Sequence, residues 1–160
     1  MNTNITLSKQ IAIQVREVLL NGTWVATNYN MQLSDVDWKQ ATSKVANLNT
    51  IAALTFHIDY YLNGLNRVFQ GGSLDIRDQY SYDAPEITSE EDWEQLKHNL
   101  LKDAETFANL VEKMTEEELM APFVEDKYGN NYVNIQAMIE HCYYHLGQIV
   151  LIKKLLKTNS

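Results

Sequence analysis

Apolar residues return at three- and four-residue intervals in four separated stretches of this 160-residue chain, and nowhere do they alternate over a useful length as a half-buried strand requires. The first stretch runs from about Leu7 to Leu20 with Ile11, Val15, Val18 and Leu19 on one face. Asn21-Gly22 ends it, glycine being expected to supply a left-handed closing conformation. The second opens at a cap, Asn49 or Thr50, and reaches about Phe69 through Leu54, Ile58, Tyr61, Leu65 and Val68. The third follows Ser89, with acids in its first turn, and buries Trp93, Leu96, Leu100, Ala104, Phe107, Leu110, Val111 and Met114. The fourth starts near Asn134 and carries Ile135, Met138, Cys142, Ile149, Ile152 and Leu156. Each stretch has one face to hide, so the economical architecture is an all-α, four-helix bundle forming a single domain over residues 1–160.

The connections are long between helices one and two and between helices two and three. Residues 23–48 lack periodicity apart from Ser34-Asp35-Val36-Asp37-Trp38, one helical turn or two, and Trp24 and Trp38 are expected to lid the bundle ends. Gly71-Gly72 opens a polar run that continues through Asp83-Ala84-Pro85. Thr115-Glu116-Glu117-Glu118-Leu119 reads as a further short turn before Pro122 and Tyr128-Gly129-Asn130-Asn131 reset the chain.

A chain of this length buries roughly 70% of its unfolded surface without disulfides. Cys142 is the only cysteine, which fits a reducing cytoplasm. The first ten residues lack the basic and apolar regions of a secretory leader, and no apolar run approaches the roughly 18 residues of a membrane span. A formal charge of -8 opposes a phosphate backbone, so neither nucleic acid nor membrane is an expected partner. Lys153, Lys154 and Lys157 complement the negative end of the last helix.

Chemistry concentrates in Glu140-His141-Cys142-Tyr143-Tyr144-His145-Leu146-Gly147-Gln148-Ile149. Four helical steps of about 100° bring His141 and His145 about 40° apart and one turn along, a spacing at which two imidazoles can share an ion. His57 lies three residues after Leu54 and four before Tyr61, inside the stripe that the second helix buries. A buried neutral imidazole has a donor and an acceptor to satisfy, and each one left unpaired costs about 1–3 kcal/mol. Three such rings among Leu, Ile, Tyr and Met neighbours are satisfied together by one divalent cation, so His57, His141 and His145 read as metal ligands. Three nitrogens leave a position for water or substrate, and zinc or nickel suits imidazole best.

Around these ligands the assignments stay open. Tyr60, Tyr61, Tyr144 and Gln148 sit three or four residues from one ligand or another, placed either to orient rings and bind a substrate oxygen or simply to pack. Glu140 and Cys142 point about 100° away from His141, and Cys142 is expected in the core as a small hydrophobe. Asp103 is a weak acid–base candidate or a rim carboxylate, while Asp59 and His98 are expected to face water.

Two segments carry a family resemblance: Leu54-Thr55-Phe56-His57-Ile58, and the run His141-Cys142-Tyr143-Tyr144-His145-Leu146-Gly147-Gln148-Ile149, in which Tyr-His-x-Gly-Gln-Ile is the most specific part. Together they resemble the DinB/YfiT-like family over essentially the whole chain. The resemblance implies a bundle of up-down-down-up topology, zinc or nickel held by one histidine of helix two and two of helix four, and frequent homodimers. It also implies a range of activities that includes thiol-dependent transferases, an isomerase and metal-dependent hydrolases. Leu146 stands where many relatives carry arginine, which bears on substrate and not on the metal ligands.

Two functional classes remain. In the first, the chain is a metal-dependent enzyme, a thiol S-transferase or a hydrolase, that activates a low-molecular-weight thiol or water against an electrophilic small molecule. In the second, it is a non-enzymatic metal or ligand-binding bundle whose metal is structural. A metal-free structural dimer is the plainest alternative to both.

Overall fold

The computed structural model describes residues 5–22 and 24–158. Part of the leader expectation, on residues 1–4, lies outside the described residues. Among those described, the chain is all-helical, with one isolated β-bridge, Pro122 to Asn130, and no strand. The α-helices are α1 (Leu7–Arg16), α2 (Tyr29–Leu33), α3 (Trp38–Thr42), α4 (Ile51–Phe69), α5 (Glu90–Lys113), α6 (Glu116–Met120) and α7 (Asn131–Thr158). Four are long, counting α1 with the π-helical turn Glu17–Asn21 that continues it. No helix is long and apolar enough to cross a membrane.

Capping chemistry sets most helix starts. Thr50 accepts a hydrogen bond from the Ala53 amide at 3.1 Å, and Ser89 accepts one from Asp92 at 3.1 Å, each satisfying a donor the helix leaves free. Asp37 with Gln40 and Thr115 with Glu118 close reciprocal capping boxes on α3 and α6. The last helix begins three residues earlier than Asn134, because Asn130 caps it by accepting from Val133 at 2.9 Å. Asn134 instead lies within α7 and donates to the Tyr128 and Asn130 carbonyls, both at 2.8 Å.

Most of the stability of these helices comes from packing their apolar faces together. α4 packs on α5 and α7, and α1 packs on α5 and α7. Their inward stripes meet in one core that includes Ile11, Val15, Leu54, Ile58, Trp93, Leu100, Phe107, Ile135 and Ile149. The Trp93 indole donates to the Val36 carbonyl at 2.6 Å, pinning the α2–α3 link to α5 in a buried setting.

Four expectations change. Gly22 has φ -73° and does not close α1 in a left-handed form; glycine is needed because a Cβ there would lie 2.1 Å from Glu17 Cα. Residues 34–37 are not helical; they join α2 to α3, which Trp38 opens. Trp24 is 88% exposed and lids nothing, whereas Trp38 is half-buried against the core. Asp59 does not face water freely. Because α4 is flanked by both α5 and α7, the side turned away from His57 is also covered, and Asp59 Oδ1 is buried without a hydrogen-bond partner. His98 is exposed as expected.

Gly64 positions the connection that follows α4. A Cβ at Gly64 would fall 2.4 Å from Ile76 Cγ1 and 2.8 Å from its Cδ1, so the bare backbone is what lets the returning chain lie against the helix. Gly64→Ala is expected to lower the unfolding free energy by about 1–2 kcal/mol, because overpacking outweighs the roughly 1 kcal/mol helix-propensity gain. Urea denaturation measures this, and an unchanged or raised midpoint would show that Ile76 can step aside.

Candidate metal centre

His57 projects from the middle of α4, and His141 and His145 from successive turns of α7. Their rings meet where the two helices face each other, with His57 6% and His145 5% exposed and His141 half-buried. The Nε2 atoms of His57 and His141 stand 3.1 Å apart and those of His145 and His141 2.8 Å apart. One ligand atom from each ring lies within 4.8 Å of the others, a cluster able to hold one metal ion.

Hydrogen bonds on the far side of two rings decide what their Nε2 atoms offer. His57 Nδ1 is 3.2 Å from the Ser81 carbonyl oxygen, which can only accept, so Nδ1 carries the hydrogen and Nε2 is bare. His145 Nδ1 likewise meets Gln148 Oε1 at 2.8 Å, leaving its Nε2 bare. Both bare nitrogens are aimed at His141 Nε2, which has at most one proton to give. At least one of the two close contacts therefore has no hydrogen between its nitrogens, unless a cation sits among them. Tetrahedral coordination at 2.0–2.1 Å spaces nitrogens by about 3.3 Å, so a bound ion needs these two close pairs to open by only a few tenths of an ångström. The donor set fits a divalent metal.

A family model described as the DinB superfamily matches residues 25–149. The chain belongs to the DinB superfamily. The resemblance carried by the histidine-bearing segments of α4 and α7 is thereby borne out, and the three histidines of that resemblance are the ones that cluster. Searches of curated proteins and of solved structures return no match for the chain.

The protonation states suit ligands. Burial, then the neighbouring His145 and His57, hold His141 down to about 4. Burial and then His145 lower His57, and burial lowers His145, so all three rings are neutral at pH 7. Cys142 is buried in the core, and its thiol is pushed up by that burial, as befits a packing residue.

The four residues expected near the ligands take different places. Gln148 fixes the His145 tautomer. Tyr61 sets its ring edge-on to both His57 and His141, centroids 5.0 and 5.1 Å away, and donates its hydroxyl hydrogen to Asp78 Oδ1 at 2.7 Å. Burial and then Asp78 push the Tyr61 phenol up to about 12. Tyr144 is exposed, its ring 4.8 Å from that of His145. Tyr60 braces the chain before Asp78: its hydroxyl donates to the Arg77 carbonyl at 3.1 Å and accepts from the Arg77 amide at 2.9 Å. Asp103 accepts from Asn63 at 2.8 Å between α4 and α5.

Three residues escaped the sequence reading. Ser81 orients His57, Tyr82 stacks on the same ring with centroids 4.2 Å apart, and Asp78 holds Tyr61. All lie in the connection after α4, where tyrosines at 80 and 82 in a polar run were the available signal.

Proposed function

We propose that the chain is a divalent-metal-dependent enzyme of the DinB type, with zinc or nickel held by the Nε2 atoms of His57, His141 and His145. Two bare nitrogens converging on a third that has only one proton to share is the observation that carries this reading. When bound, the ion supplies a Lewis acid that lowers the pKa of a thiol or water nucleophile. The protein's own residues do the remaining work. Ser81 and Gln148 lock two rings in the ligand tautomer, and Tyr82 and Tyr61 close on His57 from its face and its edge. A cavity of about 530 Å³ reaches His141, large enough for a small electrophilic substrate beside the nucleophile.

The reading extends to a thiol S-transferase or hydrolase working in the cytoplasm as a homodimer, built as one up-down-down-up four-helix domain. A low-molecular-weight thiol is the expected co-substrate, and neither nucleic acid nor membrane is a partner. The alternative is a metal with a purely structural role. Protein purified without a histidine tag and loaded with cobalt(II) separates the two. A shift in the visible absorption on adding a small thiol marks an exchangeable position, whereas an unchanged spectrum together with a large loss of Tm on chelation marks a structural ion.

A further inference from the structure

The cavity beside His141 has an unusual balance of charge and hydrogen-bonding groups. Its walls include Tyr61, Phe123, Tyr128 and Met138; among the described residues the one carboxylate lining it is Asp78, and no lysine or arginine does. Three of its polar side chains, Tyr61, Asp78 and Asn134, are left as acceptors. Tyr61 has already given its hydroxyl hydrogen to Asp78, and both amide hydrogens of Asn134 go to the Tyr128 and Asn130 carbonyls. What these three side chains still offer a ligand is oxygen. The Asp78 carboxylate is also held in place, by Tyr61 on one oxygen and by the Tyr60 brace on Arg77 behind it. Lys127, on the neighbouring turn, lies over the Tyr128 ring at 4.8 Å and is paired with Glu125 at 3.0 Å.

In the metal-free protein an anionic ligand would enter against Asp78 with no lysine or arginine on the walls, in a chain whose formal charge is -8. A ligand with a cationic end meets a carboxylate, acceptor oxygens and aromatic rings, which attract cations through their quadrupoles. We propose that this cavity binds a small apolar molecule bearing an ammonium group, with Asp78 as counter-ion and the Tyr61, Phe123 and Tyr128 rings as its walls. As an account of the substrate this rests on the metal-centre reading; as a binding site it stands on its own lining.

The probe is benzyltrimethylammonium, which fits the volume and has no lone pair with which to coordinate a metal. Its affinity is measured by calorimetry against that of phenylacetate and benzyl alcohol, on metal-loaded and chelator-treated protein. The expected result is ammonium binding in both forms, at least about 10-fold tighter than phenylacetate in the chelated form. Asp78→Asn, which keeps an acceptor for Tyr61, should weaken the ammonium at least about 5-fold and leave benzyl alcohol unchanged. Asp75→Asn, on an exposed side chain outside the cavity, should alter neither. Tyr128→Leu should weaken the ammonium more than the alcohol. Equal or tighter binding of phenylacetate to chelated protein, an unaltered ammonium affinity in Asp78→Asn, or no ammonium binding overturns the proposal. Metal content on the same samples keeps the two readings apart: absent metal with ammonium binding retained removes the metal centre alone, and stoichiometric metal without ammonium binding removes this inference alone.

Discussion

Replacing His145 by alanine is expected to abolish stoichiometric metal and, with it, any rise in Tm that the metal confers. The substitution leaves two imidazoles, and substitutions of groups that merely orient a ligand already weaken metal binding 10- to 100-fold. Loss of a ligand itself is expected to weaken it by more than about 100-fold. The metal-free protein should respond quite differently. Deleting one of two bare nitrogens that compete for the single His141 hydrogen relieves an unpaired close contact, which offsets the small void left behind. The variant's Tm should therefore match that of chelated wild type within a few degrees while failing to rise on adding zinc or nickel. Elemental analysis and thermal melts with and without chelator measure both effects, and full metal content in His145→Ala would remove the assignment.

The same centre has a defined response to pH. All three imidazoles are held below their ordinary value near 6.5, His141 to about 4, so the folded protein takes up protons there less readily than the unfolded chain. Stability of the metal-free protein consequently rises as pH climbs from about 4 toward 6.5, and this contribution is flat above. Metal affinity follows the folded-state values and should weaken only on the acid side of 6.5.

The second large effect lies away from the metal. Asp59→Asn is expected to stabilise the protein at pH 8 by roughly 2 kcal/mol and to do little at pH 4.5. Burial, and secondarily Asp103, raise the Asp59 carboxyl to about 7, and its Oδ1 has no hydrogen-bond partner. A carboxyl raised from its ordinary value contributes stability that is complete below about 4 and is lost as pH rises through about 7. Raising the carboxyl from its ordinary value to about 7 corresponds to about 4 kcal/mol, which we halve because the group keeps some contact with solvent. Asparagine removes the charge and adds a donor near Asp103. Urea unfolding at the two pH values tests it; equal stabilities of variant and wild type at pH 8 would mean that solvent already relieves the carboxylate.

These two effects divide the molecule by how far apart in sequence their causes lie. The caps at Thr50 and Ser89, the apolar stripes of α4 and α5, and the one-turn spacing of His141 and His145 follow from neighbours within four residues. Helical geometry alone transmits such information, so the sequence carries it openly. The meeting of His57 with the other pair was legible one step further out, because a stripe that must be buried turns its histidine inward with it.

Other features depended on what happened to pack alongside. Asp59 was expected in water because it points away from His57, but the helix has a neighbour on that side too. Trp24, expected as a lid, stands 88% exposed, since no local pattern says which aromatic the fold will cover. Nothing in the helical pattern around Gly64 says that Ile76 will press against it.

Taken alone, the sequence determined that the chain is helical, where α1, α4 and α5 begin, and which three imidazoles face inward, because each depends on periodicity and caps that act over a single turn. Only the tertiary structure decided that Ser81 sets the tautomer of His57, that Tyr82 covers its face, and that Asp78 lines the cavity at His141. Those residues sit in an irregular connection with no repeating dihedral angle to propagate. Its path is set by contact with α4 at Gly64, not by any preference of its own.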